Sequence, residues 1–114
     1  MKLEEFSQDN FEQASKRLVR SLTRGKTTSS HPKAILLGGQ SGAGKTTIHR
    51  IKQREFQGNI IIIDGDSYRS FHPNYLGLQE KYGKDSVDYT KVFAGQMVEY
   101  LVDELSKQGY HLLI

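Results

Sequence analysis

Eight residues constrain this chain more than all the others: Gly39-Gln40-Ser41-Gly42-Ala43-Gly44-Lys45-Thr46 matches G-x-x-x-x-G-K-[ST] at every fixed position. Glycines at these places let the backbone curl until successive N–H groups converge on an anion, and a helix that starts at the loop adds its dipole. Lys45 is expected to neutralise the β- and γ-phosphates, and Thr46 to offer its hydroxyl to Mg²⁺. Ser41 and Thr47 are further candidates for phosphate contacts. A guanine-selecting N-K-x-D segment does not occur, so ATP is the expected nucleotide. The competing reading is a glycine-rich turn that opens a helix with Lys45 in solvent.

The flanking pattern is the one such a loop needs. Residues 34–37 are a short apolar run closed by Gly38 and Gly39, which reads as a strand covered on both faces. A helix is expected over residues 45–55, ending before Gly58-Asn59. Ile60, Ile61, Ile62 and Ile63 then form the clearest strand signal in the chain. Strand, glycine loop, helix and strand make a βαβ unit with a crossover of the length that parallel pairing requires.

Directly after that second strand comes Asp64-Gly65-Asp66. This places two carboxylates at the C-terminal edge of the sheet, where open α/β folds bind ligands and where the glycine loop also opens. Residues two apart in an extended segment share a side, so the two could converge on one site. One could hold Mg²⁺ and one could accept the proton of an attacking hydroxyl, and spacing does not divide the roles. An Asp-rich turn held by its own hydrogen bonds is the alternative. Arg69 and His72 follow closely and could reach an anionic substrate, or could be a solvated arginine and a turn histidine beside Pro73.

The remaining segments are helical or connecting. Phe11, Ala14, Leu18 and Leu22 recur at helical spacing, predicting a helix over residues 10–24 with Asp9 and Glu12 as its cap and Gly25 as its stop. Its stripe either joins the core or receives a partner helix. A polar loop over residues 26–33 delivers it to the rest, so the chain is divided into an N-terminal helix and loop, residues 1–33, and a core, residues 34–114. Phe93, Met97, Leu101 and Leu105, flanked by Val98 and Val102, predict an amphipathic helix over residues 87–107. Glu99 lies off that stripe and by itself is an exposed helical glutamate. Gly109 ends the helix, and residues 112–114 begin a third strand.

Composition excludes several classes. At 114 residues, 36% hydrophobic and 25% charged, the chain is an ordinary globular domain. No apolar run approaches the roughly 20 residues of a membrane span, and the acidic start lacks the features of a secretory signal, so a cytoplasmic protein is expected. With no cysteine, disulfides and thiolate chemistry are ruled out. The net charge of +3 resides entirely in residues 1–33, which hold seven Lys/Arg against four Asp/Glu. That bias lacks the aromatic interleaving of a nucleic-acid surface, so no nucleic-acid partner is expected; cations near a helix C-terminus explain it more simply.

Taken together, residues 35–47, 57–66 and 69–73, with Ser21-Leu22-Thr23-Arg24-Gly25-Lys26 and the closing residues 109–114, resemble the zeta toxin family. The resemblance covers essentially the whole chain, and the glycine loop joined to Asp-Gly-Asp and to His72-Pro73 is far more specific than the loop alone. It implies a P-loop kinase fold with a parallel sheet and flanking helices, and the toxin of a type II toxin–antitoxin pair. The implied reaction transfers the ATP γ-phosphate to the 3′-hydroxyl of UDP-N-acetylglucosamine. By matching position, Lys45 and Thr46 look like the phosphate and Mg²⁺ residues, Asp66 like the base and Glu99 like a substrate-sugar contact; from their own place in the chain, Arg69 remains a candidate for the substrate and Asp64 for the metal. The family's antitoxin blocks the nucleotide site, so the first helix is a candidate for that interface. Family members also continue beyond the third strand with a Glu-Gly-Thr segment and with arginines that stabilise the transferring phosphoryl group. A truncated or split member is therefore expected, inactive or nearly so by itself; the alternative is an inactive remnant that binds nucleotide or antitoxin.

Overall fold

The computed structural model describes residues 2–37 and 43–114, with side chains described for 2–37 and 46–114. The chain is an α/β protein whose described residues form four α-helices and a small parallel sheet: α1 (Gln8–Thr23), β1 (Ala34–Ile35), α2 (Ala43–Glu55), β2 (Ile61–Ile62), α3 (Tyr75–Tyr82), α4 (Ser86–Gln108) and β3 (Leu112–Leu113). A 3-10 segment, Gly65–Phe71, joins β2 to the turn before α3. Two compact units share the chain. One combines residues up to Leu18 with Asp64–Leu101, the other Val19–Ile63 with Val102–Ile114, and α1 and α4 contribute residues to both.

In the second unit the strands lie in the order β1-β3-β2, all parallel. The expected βαβ unit therefore holds in direction but not in adjacency, because β3 lies between the other two strands. Burial explains the order: Leu112 and Leu113 are apolar on both faces and almost wholly covered, whereas Leu36 beside β1 is 77% exposed. The strand with both residues covered takes the centre, while β2 and β1 are each covered less completely. Hydrogen bonds carry the ladder past the strand ends, with Leu112 and Ile114 donating to the Lys33 and Ile35 carbonyls and Leu37 donating to Ile114.

Connections in this unit are fixed by contacts between residues distant in sequence. Lys33 N–H donates to His111 Nδ1 at 3.0 Å and Thr27 N–H to Asn59 Oδ1 at 2.8 Å, while Lys26 Nζ reaches the Gly58 carbonyl. Gly109, with φ +94°, turns α4 toward β3 directly under the Ser29 carbonyl, 3.1 Å from where a Cβ would stand. Glycine is needed there twice, for the dihedral and for the space.

The first unit is an aromatic cluster under α1 and α4. Phe93 is fully buried, with Phe6 edge-on at 5.0 Å, Phe11 at 5.7 Å and the His72 ring at 5.4 Å. The apolar stripe of α1 is buried at Phe11, Ala14 and Leu18, as its periodicity requires. Its start differs from the sequence expectation. Ser7 and Asn10 form the reciprocal cap, Ser7 Oγ accepting from Asn10 N–H at 3.0 Å and Asn10 Oδ1 from Ser7 N–H at 3.3 Å. Asp9 and Glu12 lie inside the helix. A shorter polar pair two residues upstream reaches the free N–H groups equally well and lengthens the helix at that end.

Candidate active site

On the second unit, the segments that follow β1 and β2 leave the parallel sheet at the same C-terminal edge. Gly39, Gln40, Ser41 and Gly42 lie outside the described residues. The helix α2 starts at Ala43, so Ala43, Gly44 and Lys45 form its first turn, and Thr46 and Thr47 follow with exposed side chains. The loop sequence is thus placed between a strand end and the start of a 13-residue helix, the setting in which converging N–H groups bind phosphate. Lys52 and Arg54 occupy the far end of that helix, where cations suit the negative end of the dipole.

Asp64 follows the end of the β2 ladder, where Ile63 N–H donates to Leu113. It is extended (φ −113°, ψ 96°), and the chain then coils at once into the 3-10 segment. Ser67 closes this turn by donating from both its N–H (3.1 Å) and its Oγ (2.7 Å) to the Asp64 carbonyl. The expectation that Asp64 and Asp66 share a side because the segment is extended does not hold. With about three residues per turn, positions two apart point in different directions. Both carboxylates are exposed, and neither makes an ion pair among the described residues. Arg69 is half-buried and bends back, Nε donating to the Asp66 carbonyl at 3.2 Å. Its guanidinium is thereby tied to the main chain of the acidic segment.

Gly65 seats the acidic segment. A Cβ at this position would stand 3.0 Å from Val98 Cγ2 on α4, so the backbone between the two aspartates lies directly against that helix. Glu99, the next residue of α4, is exposed. The structure therefore brings the Asp-Gly-Asp segment to the part of α4 that carries Glu99, a juxtaposition of residues 34 positions apart that sequence spacing does not show.

Two neighbouring side chains have unexpected environments. His72 is buried, its Nε2–H donating to the Glu4 carbonyl and its Nδ1 accepting from Asn74 N–H, both at 3.0 Å, while Asn74 Nδ2 donates to the Leu3 carbonyl at 3.0 Å. Both ring nitrogens are spent on tying the N-terminal residues to the turn before α3. His72 is therefore a structural clasp and not an anion contact. Tyr68 is buried as well, and its hydroxyl has no hydrogen-bond partner among the described residues. Burial pushes this phenol up to about 12; the Asp64 main chain, close by yet outside hydrogen-bonding geometry, opposes the rise, and the Asp64 charge adds to it. A cleft of about 490 Å³ is lined by Asn10, Gln13, Arg17, Ser70, Phe71 and His72, and not by the acidic segment.

Among the described residues no group of three or more His, Asp or Glu is placed to hold a metal ion. A Thr hydroxyl and one carboxylate do fit Mg²⁺, which keeps several waters and takes its other ligands from phosphate oxygens. No helix of the described residues is long and apolar enough to cross a membrane.

Comparison with known proteins agrees with this architecture. The sequence model of the zeta toxin family matches residues 17–114. The chain is 67% identical over its full length to Toxin PezT of Streptococcus pneumoniae, and 38% identical over 109 residues to Toxin zeta of Streptococcus pyogenes. It spans 45% and 38% of those proteins, less than half of each. A solved structure from a study of the PezAT chromosomal toxin–antitoxin system of Streptococcus pneumoniae superposes with a TM-score of 0.97 at 68% identity, covering all of this chain and 47% of that one.

Proposed function

Because the chain belongs to the zeta toxin family, we propose that it carries the nucleotide-binding part of a small-molecule kinase that acts as the toxin of a toxin–antitoxin pair. The observation that carries this reading is local. A complete G-x-x-x-x-G-K-[ST] sequence follows β1 in the chain and runs into α2, whose first four residues, Ala43 to Thr46, are its second half. Lys45 and the loop amides would hold the phosphates, with Thr46 and Asp64 on the Mg²⁺ that accompanies them. Bound ATP and Mg²⁺ supply the transferable phosphoryl group and the charge neutralisation for its transfer.

The proposed acceptor is the 3′-hydroxyl of UDP-N-acetylglucosamine, and the proposed setting is the cytoplasm. Asp66, exposed and free of ion pairs among the described residues, would accept the hydroxyl proton as the sugar oxygen bonds to the γ-phosphorus and ADP departs. Glu99, on the helix against which Gly65 packs, would contact the sugar, and the anchored Arg69 the anionic part of the substrate. An antitoxin is the proposed protein partner, with α1 as part of its footprint.

Because the chain spans less than half of its relatives, a second reading stays beside the first: these residues bind magnesium nucleotide or antitoxin without turnover. Calorimetry of the chain with magnesium ATP tests the shared premise, binding that Lys45→Ala abolishes. Phosphorylation of UDP-N-acetylglucosamine that disappears on Asp66→Ala supports the kinase reading. Nucleotide binding with no turnover leaves the binding reading, and no nucleotide binding at all overturns both.

A further inference from the structure

Tyr68 presents an unspent donor. Among the described residues its hydroxyl is the one buried side-chain polar atom without a hydrogen-bond partner, although 98% of the residue's surface is covered. Leaving such a group unmade is costly, and phenylalanine would fill the same space without that cost. Its place in the chain shows what it could serve. The ring leaves the same 3-10 segment that carries Gly65 and Asp66, and Asp64, the N-cap of that segment, neighbours the phenol without a hydrogen bond to it. The Asp64 carboxylate is exposed and in no ion pair among the described residues, so it can turn about its own side-chain bonds.

We propose that Tyr68 is a positioning residue: its O–H, unused in the free chain, donates to the Asp64 carboxylate once a bound magnesium nucleotide draws that carboxylate into place. The inference rests on the nucleotide reading above and extends it. A donor satisfied only in the bound state raises the energy of the free state and lowers that of the complex, so both differences appear as affinity. A charge-assisted O–H···O⁻ bond also fixes one carboxylate rotamer, which a Mg²⁺ with strict octahedral demands rewards.

The experiment compares wild type, Tyr68→Phe, Asp64→Asn and the double variant, measuring urea stability without nucleotide and the Kd for magnesium ATP at several Mg²⁺ concentrations. Tyr68→Phe is expected to be at least as stable as wild type when free, yet to bind magnesium ATP about tenfold more weakly. The weakening should fade when Mg²⁺ is omitted and be absent in the Asp64→Asn background. An unchanged Kd, an equal weakening in the Asp64→Asn background, or a loss of free-state stability would each overturn the proposal. If wild type binds and Lys45→Ala does not while Tyr68→Phe matches wild type, this inference alone fails; if wild type does not bind, the nucleotide reading fails and takes this one with it.

Discussion

Replacing His72 with alanine separates a clasp from a ligand contact. The substitution removes two hydrogen bonds of 3.0 Å, to the Glu4 carbonyl and from the Asn74 amide, each with a net contribution of about 1 kcal/mol. It also removes a ring that meets Phe6 and Phe93 edge-on at 5.7 and 5.4 Å, and aromatic pairs of this kind add about 0.5–1.5 kcal/mol. Together with the cavity left behind, the expected loss is about 3–5 kcal/mol. A chain of this length has a total stability of only about 6–17 kcal/mol. His72→Phe keeps the ring contacts and strands the two backbone groups, so it should cost less, about 2 kcal/mol. Urea unfolding followed by circular dichroism reads both, the alanine variant moving the midpoint down by about 1–3 M. If His72→Ala stayed within about 0.5 kcal/mol of wild type while binding of the sugar nucleotide weakened, the clasp assignment would be wrong and the ring would be a ligand contact.

Other consequences are equally open to measurement. Gly109→Ala must hold φ near +94° with its Cβ 3.1 Å from the Ser29 carbonyl, and should lower stability by about 1–3 kcal/mol, visible as a drop in Tm. Gly65→Ala presses on Val98 Cγ2; a stability cost of about 1 kcal/mol together with a larger proportional loss of magnesium ATP affinity would show that the seating of the acidic segment matters for the proposed site. The Tyr68 phenol, raised to about 12 from 10.0 by burial, stays protonated in the fold while the unfolded chain ionises. Stability should therefore fall as pH climbs from about 10 to about 12, by up to about 2 kcal/mol, and Tyr68→Phe should remove that part of the slope. Ser7→Ala deletes the hydroxyl of the α1 cap and should cost about 1 kcal/mol, whereas Asp9→Ala should cost little.

What was legible in the sequence is what local physics decides. Four isoleucines in succession, a glycine loop opening a helix, and the stripes of α1 and α4 each require only their own neighbours, because strand propensity, dihedral freedom and helical periodicity act within a few residues. The proposed phosphate-binding sequence belongs to this class, since its glycines and lysine would serve a ligand through their own backbone and side chain. Even here the structure sets the cap of α1 two residues upstream, for Ser7 and Asp9 are both good caps and their own residue types do not choose between them.

Tertiary structure decided the rest. That β3 sits between β1 and β2 depends on which strand gains most from cover on both faces, a comparison among segments far apart in the chain. His72 was open to a ligand reading until Glu4, Phe6 and Phe93 closed around it, and nothing near His111 announced that it would accept the Lys33 amide 78 positions away. Nothing in the order Asp64-Gly65-Asp66 shows that the missing side chain of Gly65 lets that segment meet α4 beside Glu99. The common reason is that hydrogen bonds and close contacts between distant segments leave no periodic trace in the order of residues, whereas the amides and the lysine of a phosphate loop must be neighbours in the chain to do their work.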